Sequence, residues 1–365
     1  MMVYDISLEG FRNYQNSGCI FAPGINVIRG RNAQGKTNLL EAVYMLTGGR
    51  SFRTRFDREL ISFDSDFARI KSRILAESRE QNIEILLRRG GRKSILKNDS
   101  RLTGALLPLT AVLFSPEDLS LVRGGPARRR RLMDMAISQL RPGYSQLITE
   151  YNRLYEHKSR MLARHRDNPS MLDTLPEFNI SMARVSSRVI RYRAAFVKRL
   201  AESARSIHRE FSGGGEQLCI TYKTVSTVTE PLAAQSEVYG QVSDHQQSRY
   251  EAELKSGQCL TGIHKDDLEI SIDGESARSF ASQGQTRTAA LSIKLAEREI
   301  FLQETGEYPV LLLDDVLSEL DSTRQEFVLN RIGGGQTLIT CCEDDEIVKR
   351  TGGKVIGIDK GKVVD

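Results

Sequence analysis

Val3–Phe11 alternates apolar and polar residues, the period of a strand with one buried face. Gly24–Arg29 is a short apolar run that feeds a glycine-rich loop. Beyond it, Leu39, Leu40, Val43 and Leu46 share nearly one face of a helix predicted over Asn38–Leu46. Phe67–Ala76, Asn82–Arg88 and Lys93–Lys97 read as antiparallel strands, the last two joined at Gly90-Gly91. From about residue 117 the pattern turns helical. Pro116-Glu117-Asp118 places acids beside a proline, and residues 127–165 and 177–211 read as long helices rich in Arg, Leu, Ala and Met. Asp167-Asn168-Pro169-Ser170 separates them and Gly213-Gly214-Gly215 ends the second. Strands are expected at Leu218–Val225 and at Asp267–Ile272, the latter ending in an Asp273-Gly274 turn. A helix over about Thr286–Glu304, a buried strand at Val310–Leu313 and a strand at Gln336–Thr340 follow.

This pattern predicts an α/β fold with mixed parallel and antiparallel sheets. One lobe is drawn from both ends of the chain, residues 1–120 and 255–365, and a mainly helical lobe lies between, 121–254. At 365 residues, two lobes agree with the usual limit on a single core. No heptad repeat persists, which excludes a long coiled-coil arm.

Composition narrows the class. No window approaches eighteen uninterrupted apolar residues and the start lacks a secretory layout, so neither a membrane partner nor export is expected and the location expected is cytoplasmic. The five cysteines include no CxxC pair, against a disulfide framework or a zinc site. The net charge of +5 is modest, but residues 121–210 hold roughly 19 Lys and Arg against 8 Asp and Glu. Such a segment favours a polyanionic partner; a solvated helical face is the alternative.

The chemistry begins at Gly30-Arg31-Asn32-Ala33-Gln34-Gly35-Lys36-Thr37, an ungapped G-x-x-x-x-G-K-[ST] phosphate loop between an apolar strand and an amphipathic helix. Its glycines let backbone N–H groups curl around phosphate oxygens. Lys36 would neutralise the outer phosphates of ATP, and the Thr37 hydroxyl would ligate Mg²⁺. Val310–Leu313 ends in Asp314-Asp315, four apolar residues delivering two carboxylates to a sheet edge. Asp314 is the candidate Mg²⁺ acid, and Asp315 the candidate base that polarises water. Ser282-Gln283-Gly284-Gln285 precedes a helix at the position of an ABC signature, where a hydroxyl and a glycine N–H make a second anion site. Ser318-Glu319-Leu320-Asp321 follows at the spacing of a D-loop.

These four motifs, with Phe11-Arg12-Asn13-Tyr14, resemble the ABC-type ATPases of the SMC and RecF group. Gly49–Arg53, Phe114–Leu119, Gly124-Gly125-Pro126 with Arg129-Arg130, Gly262–Leu268 and Lys360–Val363 narrow the resemblance to the bacterial RecF family, essentially end to end. It implies an ABC-type ATPase head with a short helical arm. It also implies an ATP-dependent homodimer in which Ser282–Gln285 reach the ATP of a second copy and the D-loop residues Ser318 and Asp321 cross the same interface. Further implications are binding to gapped duplex or single-strand/double-strand junctions, work with RecR and RecO to load RecA, and weak, DNA-stimulated ATP hydrolysis. Arg12 and Asn13 would lie near the nucleotide; a turn between strands is the alternative. Arg53 is either an arginine finger or an ordinary surface arginine, and His264-Lys265-Asp266-Asp267 is either part of the site or a structural loop.

Arg128, Arg129, Arg130 and Arg131 are candidate DNA phosphate contacts, as are Arg184, Arg188, Arg191 and Arg193. The spacing of Arg184, Arg188 and Arg191 puts those three on one helix face. Departures from the wider ABC pattern are Gln283 in place of glycine and Asp315 in place of glutamate; the shorter carboxylate suits a slow switch. A histidine after Gln336–Thr340 and a clear Q-loop glutamine are missing. The competing readings are an SMC-like clamp head, which the absent coiled coil disfavours, and a transporter ATPase, which the arginine-rich insert fits poorly. A GTPase lacks its Asn-Lys-x-Asp motif.

Overall fold

The computed structural model describes residues 1–54, 56–102, 107–342 and 345–364. Contacts divide the chain into two compact units, Met1–Ser120 with Ala290–Asp365, and Leu121–Ala289. Residues 255–289, assigned from sequence to the first lobe, fall in the second unit.

The first unit carries two sheets. One runs Lys362–Val364, Lys354–Asp359, Ile25–Arg29, Thr337–Cys341, Val310–Leu313 and Ala111–Phe114. All its pairings are parallel except the terminal hairpin Lys354–Asp359 with Lys362–Val364. Every residue of Ala111–Phe114, Val310–Leu313 and Thr337–Cys341 is buried, as expected of parallel strands covered on both faces. The other sheet is antiparallel and runs Tyr14–Ile20, Asp5–Phe11, Phe67–Ala76, Arg79–Arg88, Ser94–Lys97 and Ser100–Arg101, with Met2–Val3 also on Phe67–Ala76. Phe67–Ala76 has the bounds its alternation predicts. Mixed parallel and antiparallel sheets are the fold class expected.

The second unit is built on the helices Pro126–Leu140, Tyr144–Arg164, Leu175–Phe211 and Gln235–Ser256, with a three-stranded antiparallel sheet of Leu218–Lys223, Asp267–Ile272 and Glu275–Ser276. The single helix expected over 127–165 is two, because Arg141-Pro142-Gly143 interrupts it and Gly143 adopts a left-handed φ of 79°. Helix Gln235–Ser256 was not expected. Among the described residues, no helix is long and apolar enough to cross a membrane.

Candidate functional site

Register brings the strand ends together. Arg29 pairs with Cys341, and Leu313 with Ile339, so Gly30, Asp314 and Cys342 leave the parallel sheet along one edge. From Gly30 the chain turns into helix Lys36–Met45, whose N-cap is Gly35 with no side-chain cap. Gly35 has φ 120°, and a Cβ there would lie 2.8 Å from Asn13 Nδ2 and 3.2 Å from the Tyr14 ring, so only glycine closes this loop.

Lys36 Nζ donates to the carbonyls of Gly30 at 2.7 Å and Arg31 at 3.2 Å, spanning the loop it belongs to. Thr37 Oγ1 donates to Asp314 Oδ1 at 2.9 Å across 277 positions of sequence. The expected cation pair is thus adjacent. Thr340 completes the cluster, its Oγ1 3.0 Å from Asp314 Oδ1 and 3.3 Å from Asp315 Oδ1 while accepting from the Asp315 N–H at 2.8 Å. Burial raises the Asp314 pKa, and the hydroxyls of Thr37 and Thr340 oppose that shift. Asp315 is held at φ 49°, a left-handed conformation that costs a non-glycine residue about 1 kcal/mol or more.

Arg12 and Asn13 lie against this loop, but their side-chain bonds run to protein. The Arg12 guanidinium donates to both oxygens of Glu41 at 2.9 and 2.8 Å, and to the Glu59 carbonyl at 2.8 Å. Asn13 Nδ2 donates to the Gln34 carbonyl at 2.9 Å, while its Oδ1 accepts from Asn38 at 2.8 Å. Arg12 has φ 54°, so the turn alternative is also present. Arg53 donates to Asn38 Oδ1 at 2.7 Å and stands 3.7 Å from Glu41. The terminal hairpin closes over the other side, where Lys360 N–H and Gly361 N–H donate to the side chain and carbonyl of Gln34 at 2.6 and 2.9 Å.

Glu41 and Thr340 escaped sequence reasoning. Glu41 has no exposed side-chain surface, and the signal was an acid flanked by Leu39, Leu40, Ala42 and Val43 on a buried helix. Thr340 carries no local signal, because its partners come from another strand end.

In the second unit, Ser282 and Gln285 cap helix Gln283–Thr305 reciprocally. Ser282 N–H donates to Gln285 Oε1 at 2.8 Å, and Gln285 N–H to Ser282 Oγ at 3.1 Å. Ser282 and Gln283 are exposed, Gly284 half-buried. In the first unit, Ser318 Oγ donates to the Asp315 carbonyl at 2.7 Å, tying the expected D-loop to the acidic strand end. Asp321 caps helix Ser322–Arg331 by accepting from Arg324 N–H at 3.0 Å, a bond that leads the lowering of its pKa.

Two arginines must leave the set of candidate phosphate contacts. Arg129 is 3% exposed, forks onto Asp267 at 2.6 and 2.9 Å, and donates to the carbonyls of Leu121, Val122 and Gly124. Arg193 is 2% exposed and pairs with Asp134 at 2.9 Å and Asp266 at 2.7 Å. Arg130 is half-buried and donates to the Asp266 carbonyl at 2.8 Å. Arg128, Arg131, Arg184 and Arg188 are exposed and Arg191 is partly so. In the His264 loop, the histidine's side-chain bonds run to protein. His264 Nδ1 accepts from Tyr151 OH at 2.7 Å, its Nε2 donates to the Cys259 carbonyl at 3.2 Å, and burial drives its pKa down to about 4.

An edge of parallel strands bearing a phosphate loop, an acid pair and an open helix N-terminus defines a P-loop nucleotide site. The family model described as RecF/RecN/SMC N terminal domain matches residues 2–362. The DNA replication and repair protein RecF of Acetivibrio thermocellus is 39% identical over 97% of this chain and 96% of its own. Two solved structures are described as the recombination mediator protein RecF in the RecFOR pathway, one with ATPrS and one with ATP. The first is 34% identical with a TM-score of 0.91, covering 99% of this chain and 97% of that one. The second is 33% identical with a TM-score of 0.88, covering 100% and 97%. The chain belongs to the RecF family of DNA replication and repair proteins, within the RecF/RecN/SMC group.

Proposed function

We propose that this chain is a DNA-binding ATPase switch of recombinational repair. ATP is held at Gly30–Thr37, with Lys36 released from its own loop carbonyls to the outer phosphates. The observation that carries the reading is the Thr37–Asp314–Thr340 cluster, which joins the last residue of the phosphate loop to the strand ends. Its donors are hard oxygens, a hydroxyl and a carboxylate, which suit a Mg²⁺ that keeps several waters and takes the rest of its shell from phosphate. Thr37 and Asp314 would hold that ion, whose chemistry is to neutralise charge on the phosphates. Asp315, oriented by Thr340 and by its left-handed backbone, would align the attacking water.

Arg12 and Asn13 act one step back, Arg12 by fixing Glu41 against the helix and Asn13 by fixing the loop carbonyl of Gln34. Ser282–Gln285 with Ser318 and Asp321 would meet the ATP of a second copy, so ATP joins two chains. The exposed arginines of the second unit supply phosphate contacts for gapped or junction DNA, and RecO and RecR are the expected partners in loading RecA. Hydrolysis is weak, DNA-stimulated, and resets the dimer.

Binding of a gapped duplex measured by fluorescence anisotropy tests the reading. Wild type is expected to bind about tenfold more tightly with ATP and Mg²⁺ than without, and Lys36→Met to lose that difference. Equal DNA affinity with and without ATP would overturn it.

A further inference from the structure

Helix Leu175–Phe211 ends in a glycine turn, Gly213 and Gly214 having φ 61° and 83°, that folds the chain back on the last turn of the helix. The turn delivers Glu216, two positions before strand Leu218–Lys223. Its two carboxylate oxygens have different partners. Oε2 lies 3.0 Å from Nε2 of His208, whose side chain has no exposed surface. Oε1 accepts from Gln285 Nε2 at 3.0 Å. The remaining atom of that amide, Gln285 Oε1, takes the Ser282 N–H. A continuous chain of side-chain bonds thus runs from a buried histidine through Glu216 and Gln285 to the serine at the head of the helix.

Ser282 Oγ accepts from the Gln285 N–H, which leaves its hydroxyl proton to be aimed elsewhere. An unanchored glutamine amide is two-sided and rotates about its last torsion. A carboxylate accepts only, so Glu216 reinforces with a charge-assisted bond the orientation in which Gln285 presents its oxygen to the Ser282 N–H. Arg123 holds the preceding Ala281 carbonyl at 2.7 Å, fixing the backbone, while the amide is oriented by the Ser282 N–H at one end and by Glu216 at the other.

We infer that Glu216 is a positioning residue for Ser282: it locks Gln285 in the orientation that aims the serine hydroxyl at the γ-phosphate held by a second copy. This rests on the proposed trans contact of Ser282. Glu216 touches no nucleotide and acts only through Gln285, so its loss weakens pairing of two chains without weakening the binding of ATP to one.

The test is a double-mutant cycle on ATP-dependent dimerisation, read by sedimentation over a concentration series, with Glu216→Ala, Gln285→Ala and both together. Fluorescent-ATP affinity of dilute monomer and the unfolding midpoint are followed in parallel, and Ser282→Arg reports on the trans contact itself. Each single change is expected to weaken dimerisation about tenfold, the double to be no weaker than Gln285→Ala alone, and monomer ATP affinity to stay within twofold. Glu216→Gln, which can still present an oxygen to Gln285, is expected to recover most of the loss. Additive effects, or dimerisation of Glu216→Ala within twofold of wild type while Ser282→Arg fails, would overturn the inference. Normal dimerisation of Ser282→Arg would instead remove the trans reading, and the inference with it. Should Glu216→Ala unfold, dimerisation of the folded Glu216→Gln and Gln285→Ala variants decides: a loss in Gln285→Ala only supports it, and no loss in either sinks it.

Discussion

Arg129 and Arg131 sit two positions apart on helix Pro126–Leu140 in opposite environments. Arg129 is enclosed by Asp267 and three backbone carbonyls; Arg131 is exposed. Arg129→Ala removes a charge-assisted fork from half-buried Asp267 and bonds from buried backbone carbonyls, and is expected to cost about 3 kcal/mol in urea unfolding. Arg131→Ala is expected to leave stability within about 0.5 kcal/mol and to lower the salt slope of DNA binding by about 1. A stable Arg129→Ala protein would refute the structural assignment, and an unchanged slope would remove Arg131 from the DNA surface. Sequence spacing alone put both in one basic cluster, because charge is legible in a sequence and enclosure is not. The phosphate-loop motif was legible for the converse reason: it is local, eight consecutive residues between a strand and a helix. Glu41 and Thr340 were not, since their roles exist only once Arg12 folds onto the loop helix and two distant strand ends meet.

Among the elements, those with a clean period were the legible ones. Phe67–Ala76 alternates strictly in burial, and Val310–Leu313 is an uninterrupted apolar run. Ala111–Phe114 is equally buried and pairs in parallel with Val310–Leu313, yet four residues behind Pro108 gave too short a signal. Helix Gln235–Ser256 lacks an apolar stripe. Its buried positions include His245, Gln246 and Glu253, and the Lys158–Glu253 ion pair at 2.7 Å, wholly buried, joins it to helix Tyr144–Arg164. That polar packing makes the second unit sensitive to pH. His264 has a folded pKa of about 4, driven down first by burial and then by Lys265 and Arg130, with the Cys259 carbonyl bond and Glu253 opposing. Burial lowers His208 and His245 too, against Glu216 and Asp273 for the first and with Arg249, against Glu253, for the second. A folded pKa below the unfolded value means that the unfolded chain takes up protons first. The stability is complete above about pH 6.5 and is lost as pH falls toward 4, by about 3 kcal/mol for His264 at the limit. Urea midpoints between pH 7 and pH 4 are expected to fall more steeply in wild type than in His264→Gln, and parallel profiles would contradict this.

For the whole molecule, the missing heptad predicts a compact helical lobe over 121–254, and the compact unit is Leu121–Ala289. That unit ends inside helix Gln283–Thr305, beyond the point where composition changes, because packing follows the sheet of Leu218–Lys223 and Asp267–Ile272 rather than charge. Ser282 is therefore carried by the second unit and Lys36 by the first. A nucleotide shared between two copies would make their pairing report on both units at once. Sedimentation with ATP and Mg²⁺ of Lys36→Met, Ser282→Arg and an equal mixture of the two reads this most directly. Neither variant alone is expected to dimerise, while the mixture forms heterodimers, since one chain supplies an intact phosphate loop and the other an intact serine. Ser282→Arg dimerising alone as well as wild type would contradict the account.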